Sequence, residues 1–459
     1  MSLRLSAVLV LLATTLLANP SGSPTHSSAP ADGPNVVMIY VDDMRLDDLS
    51  YMPFTRSLFD RGTRFRHAIS PHPLCCPARA ELLTGQYAQN NGVHHNRGPW
   101  GGHEALVRAG DQDLLPGWFE DAGYRTAYVG KYLNGYPGGS IPGATTSDVL
   151  FRRSYAPTLY STWNDGVVKR HREHQTTWTA RRSRAMIDDF AGRPFFLTAA
   201  YLAPHTNKWH GRWIPPVPPE GYDRVRRRHR FPPSFADPAY NEADLSDKPA
   251  SIRDRSEIDA KAVRTYHRAR VLSLYAVDDA VRSTVRALKR ADVWSDTVLA
   301  FTSDNGFQLG EHRLWNKDRP YQESLRIPLL IRGPGVPVGV RDEVVTTVDL
   351  PGTLAALAGV TPGRVQDGTD AFTSTPDRAV LIQSGEDDVQ WDWRGVYTRR
   401  WTYVEHGSGD IELYDRQADR HELDNVAGLP AYREHQQQLA QLYEELRGCK
   451  GPACSAVAP

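Results

Sequence analysis

The chain has 459 residues, enough for a large core and two domains. Lys plus Arg and Asp plus Glu each number 54, a balance that excludes the basic surplus of a nucleic-acid binder and the acidic surplus of a charged tail. Basic charge is bunched only locally, in Arg224-Val225-Arg226-Arg227-Arg228-His229-Arg230.

Arg4 precedes an apolar run from Leu5 to Ala18, broken only by Ser6, Thr14 and Thr15. Residues 1–18 thus have the form of a secretory signal peptide, and the run is shorter than the roughly 20 residues a spanning helix needs. A soluble, secreted product without a stable membrane anchor is expected, a retained N-terminal anchor being the alternative. Residues 19–33, rich in Ser, Pro, Ala and Gly, read as a flexible linker.

Asn35–Val41 is nearly continuously apolar and suits a strand buried on both faces. Similar runs recur at Thr126–Gly130, Phe195–Tyr201, Val298–Thr302 and Ile327–Ile331, and the clearest helical period lies between Arg264 and Lys289. The alternation predicts an α/β domain over 34–361, a large, mostly parallel sheet flanked by helices, with reactive groups at the carboxyl ends of its strands. From 362 the texture changes. Ala379–Gln383, Arg394–Thr398, Thr402–Glu405 and Glu412–Tyr414 read as short strands and Ala431–Arg447 as an amphipathic helix, predicting a small C-terminal α+β domain of antiparallel sheet plus helix over 362–459. The segments Tyr136–Asp189, irregular, and Lys208–Ile258, rich in Pro and Arg, read as surface excursions that shape a substrate site.

Two acidic pairs sit where such a sheet places its chemistry. Asp42-Asp43 follow the first apolar run and Asp304-Asn305 follow Val298–Ser303. Adjacent carboxylates repel each other unless a cation intervenes, and these side chains offer hard oxygen ligands suited to Ca²⁺ or Mg²⁺ rather than zinc. Helix capping is the structural alternative for either pair alone. Of the four cysteines, Cys449 and Cys454 flank Lys-Gly-Pro-Ala, so a disulfide is favoured over a zinc site that lacks a second ligand pair. The other two are adjacent, in Cys75-Cys76-Pro77-Ala78-Arg79-Ala80-Glu81-Leu82-Leu83-Thr84-Gly85. Buried small hydrophobes or disulfide partners are the bland reading of that pair.

The stretch from Cys75 has the form C-x-P-x-R-x4-T-G and resembles the signature of the type I sulfatases, members of the alkaline phosphatase-like superfamily. The resemblance continues in family order through Asn35–Asp43, Gly130-Lys131-Tyr132, Ala203-Pro204-His205, Thr302–Gly306 and Gly310–Lys317. It implies that Cys75 is oxidised to formylglycine by a formylglycine-generating enzyme, and that the aldehyde hydrate is the nucleophile of a two-step covalent mechanism. It further implies that Asp42, Asp43, Asp304 and Asn305, with an oxygen of modified Cys75, hold a divalent cation. Arg79 would stabilise the hydrate, while Lys131, His205 and Lys317 would contact sulfate or the bridging oxygen. The physical demand agrees: charge develops on the leaving oxygen as the S–O bond breaks, so a donor or fixed cation there lowers the barrier.

One position departs from the pattern. Many sulfatases carry His two residues after the active-site lysine, whereas Leu133 stands here, followed by Asn134. That variant, Cys-Cys-Pro at the signature, and Asn241–Pro249 resemble the N-acetylglucosamine-6-sulfatase branch, which includes extracellular heparan 6-O-endosulfatases. The implied partner is a sulfated carbohydrate, with Trp163, Asn164, Asp165 and Trp209 as candidates to line its site, and the Arg224–Arg230 run suits a polyanion, a solvated loop being the alternative. Two other functions compete: a phosphonate monoester hydrolase or phosphodiesterase of the same superfamily, and a secreted glycan-binding protein whose cysteine never matures.

Overall fold

A computed structural model describes residues 33–110, 112–222, 237–385 and 391–457. The signal-peptide and linker readings, and the Arg224–Arg230 run, lie outside the described residues. The main sheet has ten strands: β1 (Asn35–Val41), β2 (Thr63–Ile69), β3 (Arg125–Gly130), β4 (Thr146–Leu150), β5 (Tyr160–Asn164), β6 (Val167–His171), β7 (Phe195–Ala200), β8 (Thr297–Ser303), β9 (Leu329–Arg332) and β10 (Gly339–Thr346). Their spatial order is β10-β2-β9-β8-β1-β7-β3-β4-β5-β6. The centre, β8-β1-β7-β3-β4, is parallel throughout. Antiparallel pairings of β8 with β9, β9 with β2, β4 with β5, and β5 with β6 flank it.

The burial of β1 follows from its place. It is paired on both edges and covered on both faces, so all seven of its residues are buried. Alternate residues feed opposite cores, Val36, Met38 and Tyr40 on one side and Val37, Ile39 and Val41 on the other. The second core receives one face of a long helix, α1 (Ala260–Arg290), through Leu274, Val277, Val281 and Leu288. Asp259 caps that helix, its carboxylate accepting from the N–H groups of Lys261 and Ala262.

A separate five-stranded antiparallel sheet is formed by 378–385, 391–397, 401–406, 411–415 and 456–457, with the helix Arg433–Leu446 packed on it through Leu439, Tyr443 and Leu446. The Cys449–Cys454 disulfide closes the loop after that helix.

The segment Tyr136–Asp189 departs from its expected irregularity. It contributes β4, β5 and β6 to the main sheet and the helix Gln175–Phe190. The polar sequence of β4 conceals it: Ser147 and Asp148 are buried because Asp148 is paired with Arg182 and the Ser147 N–H donates to Asp165. Residues 237–258 are likewise tied down rather than loose. Glu242 meets His312 at 2.7 Å, and the wholly buried Lys248 lies 3.3 Å from Glu242.

Candidate active site

The site lies at the carboxyl ends of the central strands. Asp42 and Asp43 leave β1, and Asp304 and Asn305 leave β8, the Asp304 N–H donating to the Val41 carbonyl at 3.2 Å. Lys131 follows β3 and donates its N–H to Ala200 of β7 at 2.9 Å. His205 comes from the loop that follows β7. Parallel neighbours in register therefore gather groups far apart in the chain, as in the 3.0 Å bond from the Asp43 N–H to Asp304 Oδ1 across 261 positions.

The signature forms a helix, Cys75–Thr84, and all ten of its residues are buried. Cys75 occupies its first turn, where the unsatisfied N–H groups and the helix dipole favour negative charge. Arg79, one turn on, shares that face. Thr84 and Gly85 serve termination. Gly85 adopts φ +67° and its N–H returns to the Glu81 carbonyl at 2.8 Å, while a Cβ there would lie 1.6 Å from Gln366 Oε1.

Cys75 Sγ lies 3.4 Å from Asp42 Oδ1 and 2.8 Å from Lys317 Nζ. Lys131 Nζ contacts Asp42 and Lys317 Nζ contacts Asp43. Arg79 donates from Nε to Asp304 Oδ2 at 3.0 Å and from Nη1 to the Lys131 carbonyl at 2.9 Å. Its Nη2, 2.9 Å from Asp304 and 3.6 Å from Asp42, is aligned with neither for a hydrogen bond. Three cationic side chains thus face three buried carboxylates, and the structure brings Asp42, Asp43, Cys75, Arg79, Lys131, His205, Asp304, Asn305 and Lys317 together.

Electrostatics divides the carboxylates. Burial raises Asp42, but Lys131 and the other nearby cations outweigh it and hold the group well below the usual range; Asp43 is lowered against burial chiefly by Lys317. Asp304 moves the other way, to about 7, because burial and the Asp42 charge exceed the pull of Arg79. Burial and Asp42 push the Cys75 thiol up, while carboxylate neighbours overcome burial to raise both Lys131 and Lys317. His205 falls to about 4, mainly through burial, and is neutral at pH 7.

The donor set fits a cation. Oxygen atoms of Asp42 and Asp43, Cys75 Sγ and a His205 ring nitrogen lie within 4.8 Å of one another, all buried. His205 Nδ1 is 2.6 Å from the Thr206 carbonyl, so a neutral ring donates there and turns the Nε2 lone pair toward Asp43, 3.6 Å away. Two acceptors facing each other are an arrangement that a cation satisfies. Asn305 Oδ1 is also buried without a partner while its Nδ2 donates to Asp43 at 2.7 Å; exchanging the amide atoms would present an oxygen instead. Asp304 and Asn305 adjoin the compact group without belonging to it.

Leu133 is buried in the apolar core, so no base stands at that position. Of the residues expected near a sugar, Trp163 packs on Phe151, Asn164 accepts from Lys169, and Asp165 accepts from Ser147. Trp209 lies in the hairpin 207–214, next to His210. Sequence reasoning passed over Tyr155 and Trp213. The Tyr155 ring is 5.1 Å from His205 and 5.2 Å from Trp213, and Lys131 Nζ is 5.1 Å from its centroid. Trp213 is exposed. Aromatic residues beside Pro in a segment read as an excursion were the available signal.

Fold and site together define an α/β protein with a buried, cation-ready charged centre at its strand ends. The chain belongs to the sulfatase family, whose model matches residues 34–360, and it is a sulfuric ester hydrolase. An arylsulfatase of Chlamydomonas reinhardtii is 28% identical over 503 aligned positions, covering 92% of this chain and 75% of the algal protein. Human N-acetylglucosamine-6-sulfatase is 28% identical, with 78% of this chain and 66% of the human protein covered. Among solved structures, one of a protein in complex with its substrate D-glucosamine-2-N,6-O-disulfate superposes with a TM-score of 0.75 at 21% identity, covering 90% of this chain and 97% of the other.

Proposed function

We propose that this protein is an exported sulfatase that removes sulfate from a sulfated sugar of the glucosamine 6-sulfate type, using Cys75 after its conversion to formylglycine. The observation that carries the reading is the burial of Cys75 Sγ among Asp42, Asp43 and His205, within 2.8 Å of Lys317. Sγ stands in for an oxygen of the aldehyde hydrate. The hydrate supplies a hydroxyl to attack sulfur and a second to expel sulfate as the carbonyl re-forms, an exit no thiol has. A divalent cation, Ca²⁺ or alternatively Mg²⁺, held by Asp42, Asp43, Asp304, Asn305 and the modified residue 75, supplies positive charge against the sulfate oxygens.

The remaining work belongs to the chain's own side chains. Lys317 spans the nucleophile and Asp43, holding a proton at that atom. Arg79 fixes Asp304 and directs a spare N–H between Asp304 and Asp42. Lys131 offers a fixed positive charge toward the ester, and neutral His205 accepts at Nε2 rather than donating. The oxidation of Cys75 needs a formylglycine-generating enzyme as partner.

Residues 1–18 as a signal peptide support export, and among the described residues no helix is long and apolar enough to cross a membrane. The sugar is supported by the relative and the structural neighbour that act on, or bind, glucosamine sulfates. Mass measurement of the peptide carrying Cys75, together with sulfate release from glucosamine 6-sulfates and a parallel assay on an aryl phosphonate, tests the reading. Unconverted Cys75 with no turnover, or a clear phosphonate preference, contradicts it.

A further inference from the structure

Beside the buried centre opens a cavity of about 520 Å³, the size of a small-molecule site. Its inner wall is continuous with the catalytic residues. Tyr155 donates to Asn134 Oδ1 at 2.5 Å, and Asn96 Oδ1 accepts from the Cys76 N–H at 2.8 Å. The cavity is therefore within reach of a molecule whose sulfate ester sits at residue 75.

The outer wall carries Arg97 and Arg152. They come from separate parts of the chain, Arg97 from the loop before the helix Gly102–Arg108 and Arg152 from just beyond β4. Both are exposed, and neither guanidinium has a hydrogen bond or ion pair with any described residue; Arg152 only overlies the Phe151 ring at 4.9 Å. The carboxylate on the same wall, Glu104, is already met by Arg108 at 3.2 Å. Other arginines have carboxylate partners: Arg45 meets Asp47 and Glu311, Arg270 meets Asp48, and Arg182 meets Asp148.

One exposed arginine is ordinary surface. Two from different elements, lining one concave wall and unpaired among the described residues, create a focused positive potential beside the reaction centre. The ester being cleaved does not need them, because Lys131, Lys317 and Arg79 already surround residue 75. Guanidinium forks match carboxylate and sulfate oxygens in pairs, which gives them selectivity as well as attraction.

We infer that Arg97 and Arg152 bind a second anionic group on the substrate, a carboxylate, sulfamate or further sulfate ester, so that the preferred substrate is a polyanionic saccharide rather than a neutral sugar with one sulfate. The inference rests on the sulfatase reading of the Cys75 site.

The test compares kcat/KM for three substrates: N-acetylglucosamine 6-sulfate, its N-sulfated counterpart, and a disaccharide joining N-acetylglucosamine 6-sulfate to a uronate. Each value is normalised to aryl sulfate turnover by the same protein. The wild type should favour at least one doubly charged sugar by about tenfold or more, and the favoured arm identifies sulfamate or carboxylate as the group bound. That preference should shrink with added salt. R97Q/R152Q should bring it near unity, mainly by raising KM, while R97K/R152K should retain part of it. Absence of a preference in the wild type, or its survival in R97Q/R152Q, overturns the inference. A wild type with converted Cys75 but no aryl sulfate turnover defeats the sulfatase reading and this inference with it.

Discussion

Replacing Arg79 by Lys tests the proposed architecture without removing a charge. Arg79 reaches Asp304 from Nε and Nη2, the Lys131 carbonyl from Nη1 and approaches Asp42 from Nη2. A lysine ammonium is a point charge on a flexible stem and keeps at most part of that set. Losing two charge-assisted hydrogen bonds at about 1.5–3 kcal/mol each removes about 3–6 kcal/mol of organisation. At roughly 1.4 kcal/mol per decade, Arg79→Lys should lower kcat/KM by about 10²- to 10⁴-fold if the loss is expressed in the transition state. The assay is aryl sulfate and glucosamine 6-sulfate turnover, with the melting temperature measured in parallel to separate misfolding from misplacement. Activity within about threefold of wild type would refute the role given to the guanidinium fork.

Three further outcomes are expected. Chelation should abolish turnover and lower the melting temperature, and added Ca²⁺ should restore both, because ligand binding to the folded state alone stabilises it; a melting curve indifferent to both treatments would argue against a bound cation. Glu323 is buried and raised to about 8, by burial first and then by Glu311. Its folded pKa exceeds its unfolded value, so the folded state binds more protons and its contribution to stability falls as pH rises from about 4.5 to about 8. Denaturant melts of wild type and Glu323→Gln across that range should show a shallower loss in the variant, and equal slopes would remove Glu323 as a source. Cys449→Ser should cost about 2 kcal/mol, since the disulfide closes a short loop; a denaturant midpoint equal to wild type would contradict this.

What the sequence made legible is what physics writes locally. A continuously apolar heptapeptide announced β1, and acidic pairs directly after apolar runs announced the strand ends that meet in the parallel sheet. The Cys449–Cys454 bridge was legible from spacing alone. The strands β4 to β6 and the helix Gln175–Phe190 were not, because their polar residues are satisfied by partners far away. Arg182 on Asp148 and Thr162 Oγ1 on His171 at 2.9 Å are contacts that local periodicity does not encode. The same reason hid Tyr155, whose place beside Lys131 and His205 depends on the β4–β5 connection folding back over the strand ends. His205 shows a different limit: burial, a property of the fold, lowers it to about 4, and residue type does not reveal that.

The account turns on whether the Cys75 side chain becomes an aldehyde and whether that aldehyde does the chemistry. Mass measurement of the tryptic peptide containing residue 75, on protein exported by a host with the maturation enzyme, should show the aldehyde in proportion to the specific sulfatase activity of each preparation. Full activity in a preparation whose Cys75 is entirely unmodified, or in Cys75→Ala, would contradict it.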